Sequence, residues 1–271
     1  MKKAMNHGSL PGCDLKMFFK LAKEAGFEGV ELNFRDEGDL SADTPPKRLQ
    51  EIAKDAKNVG IKICSICLGI LWKYPLTDPN PETRRKGAAI TERAMEAAPV
   101  LGADTVLVVP GLVTEEVFYT DAYGISRDAI AKFGEKAKEL GIYIGLENGG
   151  MKMLSSPVEF RQFIESFNND RIKFFLDTAN TLIEGFPEHW IRIMGEVVVK
   201  VHFKDFKKRV RVFPEAYTQL LHGDVNWKAV MAELRNIGYK DYLIGEIPAY
   251  RFFPEKILKD TSENMDLILG M

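Results

Sequence analysis

The sequence predicts a single (β/α)8 barrel occupying residues 1–271, and three observations predict it. Short β-branched runs alternate with longer amphipathic ones at roughly 30 residues per pair, the rhythm of βαβ units and a parallel sheet. Five junctions share one design, a helix end, a glycine and the entry to a strand: Ala25-Gly26-Phe27, Val59-Gly60-Ile61, Leu101-Gly102-Ala103, Leu140-Gly141-Ile142 and Ile237-Gly238-Tyr239. Eight strand-like runs can be counted, and eight such units close on themselves without leaving a sheet edge. An open doubly wound sheet usually carries a glycine-rich phosphate turn after its first strand, and neither G-x-G-x-x-G nor G-x-x-x-x-G-K-[ST] occurs.

The first unit pairs a short strand, Lys3 to Asn6, with a helix from Leu15 to Ala25. Gly29 to Phe34 with Pro46 to Val59 form the second, Ile61 to Leu68 with Pro81 to Leu101 the third, and Thr105 to Val109 with Asp121 to Leu140 the fourth. The fifth is Tyr143 to Glu147 with Pro157 to Phe167, and the sixth Lys173 to Asp177 with Pro187 to Met194. The seventh is Val197 to His202 with Trp227 to Ile237, and the eighth Tyr242 to Ile247 with Glu255 to Leu269. Pro46, Pro81, Pro157 and Pro187 stand at helix starts, where a missing N–H costs little, while the junction glycines stand where a left-handed residue is wanted. The longest connection, Asp205 to Asn226, follows the seventh strand and is expected over the barrel mouth; with Lys204 just before it, Lys207, Lys208, Arg209 and Arg211 make it cationic.

A chain of 271 residues with 45% hydrophobic and 28% charged residues has apolar mass for a large core. Its formal net charge of −2 gives no basic field to attract phosphate backbones, so nucleic acid is not expected as a partner. The N-terminus lacks the apolar stretch of a signal peptide and no run approaches the roughly 20 apolar residues of a membrane span, which makes the cytoplasm the expected location and excludes a membrane role. Cys13, Cys64 and Cys67 are an odd number, against a disulfide framework, and the C-x-x-C of Cys64 and Cys67 falls inside a strand-like run, so packing is the expected role.

Glu147, Asp177, His202 and Glu246 each close an apolar run that reads as a buried strand, the fifth to the eighth. A carboxylate so placed is partly desolvated and needs a cation, a proton or a hydrogen-bond partner. In a closed parallel barrel these strand ends share one rim, so three carboxylates and one imidazole converge there. That is an oxygen-rich set suited to one Mn²⁺, Mg²⁺ or Co²⁺ rather than to thiolate zinc. Asp177 also precedes Thr178 and is a candidate helix or turn cap.

With these residues in place the chain resembles the xylose isomerase-like barrel superfamily of sugar isomerases and epimerases, and within it the ketose 3-epimerases of the D-tagatose and D-allulose type. The resemblance rests on Leu146-Glu147-Asn148, Leu176-Asp177-Thr178-Ala179-Asn180, Val201-His202-Phe203-Lys204-Asp205, Gly223-Asp224-Val225-Asn226-Trp227 and Gly245-Glu246-Ile247. It implies that Glu147, Asp177, His202 and Glu246 bind one Mn²⁺ or Co²⁺, that Glu147 and Glu246 serve as acid and base, and that the chain forms a homo-oligomer, a dimer or tetramer. The chemistry is consistent: removing a proton beside a ketone requires an enediolate to be stabilised, which a divalent ion supplies, and epimerisation needs a base on one face and an acid on the other.

Other residues are candidates for holding substrate. His7 follows the first strand, Glu31 ends the second, and Trp72 and Tyr74 follow the third, where they can wall a sugar's C–H face. Asn180 stands where many ketose 3-epimerases have a histidine, Lys208 with Arg209 beside it where they have an arginine, and Met153 where they have a second acid; Arg251 follows Glu246 and can meet a hydroxyl or a phosphate. His189 and His222 are expected in a helix and a loop, away from the site. A free ketose is the expected substrate. A sugar phosphate held by Lys207, Lys208, Arg209, Arg211 and Arg251 is the alternative. An endonuclease IV-like barrel needs a histidine-rich three-metal cluster that four histidines do not supply, and a non-catalytic sugar-binding barrel has no need of two opposed glutamates.

Overall fold

The computed structural model describes residues 1–210 and 215–271, so Arg211 lies outside the described residues. Eight parallel strands close a barrel. They are β1 (Lys2–Asn6), β2 (Gly29–Asn33), β3 (Lys62–Cys67), β4 (Thr105–Val108), β5 (Tyr143–Glu147), β6 (Ile172–Asp177), β7 (Val198–Phe203) and, after a small hairpin of β8 (Asp205–Phe206) and β9 (Tyr217–Thr218), β10 (Tyr242–Gly245). Around it run α1 (Leu15–Glu24), α2 (Pro46–Val59), α3 (Pro81–Leu101), α4 (Tyr119–Leu140), α5 (Pro157–Glu165), α6 (Thr178–Glu184), α7 (Pro187–Met194), α8 (Trp227–Asn236) and α9 (Lys256–Leu269).

The helix punctuation acts as the sequence implies. α2 and α3 begin on prolines and end at Gly60 and Gly102, whose φ of 70° and 78° is left-handed and lets the cap N–H reach back to the last turn. α6 has no counterpart in the predicted order. It starts directly from β6 because Asp177 Oδ1 accepts from the N–H groups of Ala179 and Asn180, so a strand end and a helix cap are one residue. β10 stops two residues short of the predicted Ile247. Glu246 N–H still donates to Phe203 O, but Ile247 N–H turns away to Ser9 Oγ.

The core lies inside the barrel and between barrel and helices. Phe174 of β6 stacks on Trp190 of α7, centroids 5.8 Å apart, with Phe160 of α5 edge-on to both. At the N-terminal end of the barrel the buried Lys200 of β7 places Nζ 2.9 Å from Asp104 Oδ1 and 2.8 Å from Asp241 Oδ2. Burial opposes that charge, yet the two carboxylates hold the ammonium above its usual value. The floor of the barrel is thus closed by an ion triad, and the open mouth is at the other end, where β5, β6, β7 and β10 finish side by side.

Candidate metal and active site

Register brings the four strand ends to one place. Asp177 pairs with His202 across β6 and β7, and Ile244, two residues before Glu246, pairs with His202 on the other side. One ligand atom from each of Glu147, Asp177, His202 and Glu246 lies within 4.8 Å of every other. His202 Nδ1 is the hub: Glu147 Oε1 is 3.0 Å away, Glu246 Oε2 3.4 Å and Asp177 Oδ2 4.0 Å. The far nitrogen, Nε2, is 2.7 Å from Glu31 Oε2. An Nε2–H donated to Glu31 leaves the Nδ1 lone pair facing the carboxylates, the arrangement in which a ligating imidazole is held by a second partner.

The donor set fits a divalent cation. Asp177 Oδ2 is buried without a hydrogen-bond partner while its Oδ1 is consumed by the α6 cap, so one oxygen is anchored and the other is left facing the cluster. Three carboxylates within this radius, Glu147 and Asp177 buried and Glu246 half-buried, repel one another, and the strain shows in their proton affinities. Burial, reinforced by Asp177 and Glu246 and eased by His202, raises the Glu147 carboxyl to about 7. Burial also raises Asp177. Burial pushes Glu246 in the same direction, but Lys204 and His202 outweigh it and hold this carboxyl below its ordinary value. For His202 burial opposes the charge, and Glu31, Glu246 and Glu147 overcome it. Hard oxygen donors with one imidazole match Mn²⁺, Mg²⁺ or Co²⁺, and zinc also takes such sets.

Around this cluster the structure sorts the other candidates. Trp72 and Asn180 line the cavity that contains Glu147 and Glu246, and Asn180 gives its amide hydrogen to Asn148 O while accepting from Tyr217 OH. Glu31 does not meet the expectation of a substrate contact at a strand end. It sits mid-strand in β2, fully buried, its carboxylate taken up by Asn6 Nδ2 at 2.6 Å, Ser65 Oγ at 2.8 Å and His202. His7 is also not brought to the cavity, because Nε2 bonds to Cys13 O and the ring packs on Phe18. Lys208, Arg209 and Arg251 are exposed and do not line this cavity or the neighbouring one beside Ser9 and Asn33 at the barrel mouth; Lys208 lies over the Phe186 ring and Arg251 over Phe252. Met153 is buried. His189 packs on Phe186, so of the four histidines His202 is the one in the cluster.

Two residues of the site were not assigned to it from the sequence, where Lys204 reads only as part of a cationic connection. Lys204 Nζ is 2.7 Å from Glu246 Oε2 and 3.6 Å from Asp177 Oδ2, and it lies over the Tyr217 ring. Lys200 and His202 alternate along β7 and Lys204 continues their period one residue past its end, and that period of two was the available signal. Tyr217 had none, because a loop delivers it. Asp205 organises that loop by accepting from the N–H groups of Phe206, Leu221, Gly223 and Val225 and from Trp227 Nε1. Gly223 is required there, since a Cβ would fall 2.1 Å from Asp205 Oδ1.

Among the described residues no helix is long and apolar enough to cross a membrane. L-ribulose-5-phosphate 3-epimerase UlaE of Escherichia coli O1:K1 / APEC is 23% identical over 230 residues, covering 81% of this chain and 77% of that protein. A solved L-ribulose 3-epimerase superposes with a TM-score of 0.82 at 20% identity, over 99% of this chain and 94% of the other. The IOLI protein with a bound zinc atom superposes with a TM-score of 0.84 at 16% identity, over 100% and 98%. Residues 19–268, nearly the whole barrel, match the family described as xylose isomerase-like TIM barrel, and the chain belongs to that family.

Proposed function

We propose that the chain is a divalent-metal-dependent sugar epimerase that removes and returns a proton at the carbon beside a ketose carbonyl, most simply at C3. The observation that carries this reading is the placement of Glu147 and Glu246 on β5 and just past the end of β10, both reaching His202 Nδ1 within one cavity while Asp177 Oδ2 has no hydrogen-bond partner. Glu147, Asp177, His202 and Glu246 would hold the ion, which supplies the electrophile that lowers the cost of an enediolate. Manganese is the proposed occupant, with cobalt or magnesium as substitutes, and a homo-oligomer the proposed assembly. The chain's own residues do the rest. Glu147 and Glu246 approach from different strands and exchange roles as proton acceptor and donor between the two epimers. Trp72 offers an apolar wall, Asn180 and Tyr217 form a fixed polar pair, and Lys204 keeps Glu246 ionised and places a cation at the mouth.

The curated relatives named L-ribulose-5-phosphate 3-epimerase favour a second reading, a sugar phosphate. Against it, the exposed Lys208, Arg209 and Arg251 stand outside both mouth cavities. Metal-loaded protein incubated in D₂O with free and phosphorylated ketoses tests both. Deuterium is expected at the carbon beside the carbonyl, and Glu147→Gln and Glu246→Gln, with metal content measured alongside, each lower turnover by at least about a hundredfold. Near-native turnover at full metal occupancy in either variant removes that glutamate from the reaction.

A further inference from the structure

The mouth of the barrel is not one cavity but two that share a wall. The chamber containing Glu147, Trp72 and Asn180 holds about 360 Å³, and a second, bounded by Ser9, Asn33, Glu215 and Pro248, holds about 430 Å³. Lys204, Tyr217 and Glu246 line both. A glutamate of the reaction therefore stands in the partition, and a molecule reacting there has room on either side of it. Each chamber reaches the lower part of the roughly 300–1,000 Å³ range of small-ligand sites, so the reacting ketose does not need the second one.

The lining of the second chamber says what would fill it. Ser9 Oγ accepts from Ile247 N–H, which leaves its O–H to donate. Asn33 Oδ1 accepts from Gly8 N–H, which fixes the amide and turns its NH₂ to use. Glu215 adds an acceptor, and Ile247 and Pro248 an apolar surface. Hydroxyl, carboxamide and carboxylate beside a small apolar face form a set that meets the hydroxyls and the C–H face of a sugar ring. An anion is poorly served: among the described residues Lys204 is the one cation on either wall, it is already paired with Glu246 and near Asp177, and a phosphate there would face Glu215 and Glu246.

We propose that this second chamber binds a neutral glycosyl unit, so that the substrate is a ketose carrying a second sugar rather than a free monosaccharide or a sugar phosphate. This rests on the epimerase reading, and the experiment separates the two. Manganese-loaded full-length protein is incubated in D₂O with fructose, with fructose 6-phosphate, and with isomaltulose and maltulose, which carry a glucosyl unit on O6 or O4 of fructose and leave C3 open. Deuterium at C3 is followed by NMR and converted to kcat/KM. The better disaccharide is expected to exceed fructose by about tenfold or more, a difference of about 1.4 kcal/mol, with saturation transfer from protein to both of its rings. Glu215→Trp, a substitution at an exposed site that fills the chamber, is expected to lower the disaccharide-to-fructose ratio by at least about tenfold. A ratio at or below one, or a ratio that Glu215→Trp leaves unmoved, overturns the glycosyl chamber and leaves the epimerase standing. Preference for the 6-phosphate over both disaccharides overturns it too. Exchange into none of the four sugars removes the epimerase reading and the chamber's role with it.

Discussion

Glu31 gives the sharpest handle on the site, because it touches the cluster through one atom. Its Oε2 takes the Nε2–H of His202 at 2.7 Å and the amide hydrogen of Asn6 at 2.6 Å, while Oε1 takes Ser65 O–H at 2.8 Å, all of it buried. Glu31→Gln can keep the first two bonds with its amide oxygen, and its NH₂ then faces Ser65, whose hydroxyl can turn to accept. What is lost is the charge on the bond to His202. A hydrogen bond to a charged group contributes roughly 1.5–3 kcal/mol and a neutral one roughly 0.5–1.5, so the loss is about 1–1.5 kcal/mol, or about tenfold in metal affinity. Glu31→Leu removes the acceptor altogether, frees the imidazole to turn and leaves Asn6 and His202 with buried donors unmatched. Loss of a partner that orients a ligand typically costs about 10–100-fold, and this variant is expected at the upper end, with a lowered melting temperature after chelation. Competition for Mn²⁺ against a chromophoric chelator measures affinity, and thermal melts confirm folding. Affinity within twofold of the parent for both folded variants refutes the argument that Glu31 sets the His202 tautomer.

Metal uptake should depend on pH in a defined direction. Burial raises the Glu147 carboxyl to about 7 and raises Asp177 as well, and against burial the surrounding carboxylates raise His202, so at and below neutrality the cluster holds protons that a cation must displace; affinity should fall by up to about tenfold per pH unit per proton from pH 7 to 6. A dissociation constant flat from pH 6 to 8 contradicts the coupling of the three carboxylates. Thiol chemistry should separate the cysteines. Burial pushes Cys64 and Cys67 far up, whereas Cys13 is half-exposed, so a disulfide reagent at pH 8 should react with one thiol in the folded protein and three in guanidinium. Rapid reaction of more than one in the folded state contradicts the packing assigned to β3.

Much of the barrel was legible because its punctuation is local. α2 and α3 run from the proline to the residue before the glycine, as the sequence implies, since a ring-locked φ at one end and a left-handed cap at the other are decided by the residues themselves. α6 was not legible as a helix, because its seven residues begin at Thr178, directly after Asp177, which already ends a strand. The site was found by one signal, a polar group ending an apolar run, and that signal has a limit. It detects that a side chain is buried among apolar neighbours and must be satisfied, but it is silent on what satisfies it. Glu147 ends its run and Glu31 interrupts one, and both come within 3.0 Å of the same imidazole, one at Nδ1 and one at Nε2. A ligand and the group that orients a ligand differ only in which ring nitrogen they face, and that depends on packing between residues 171 positions apart. Hence Glu31 was expected to hold substrate and instead holds His202. Lys204 escaped for the complementary reason: a lysine just past the end of a strand resembles a solvated charge until Asp177 and Glu246, from elsewhere on the rim, close around its ammonium.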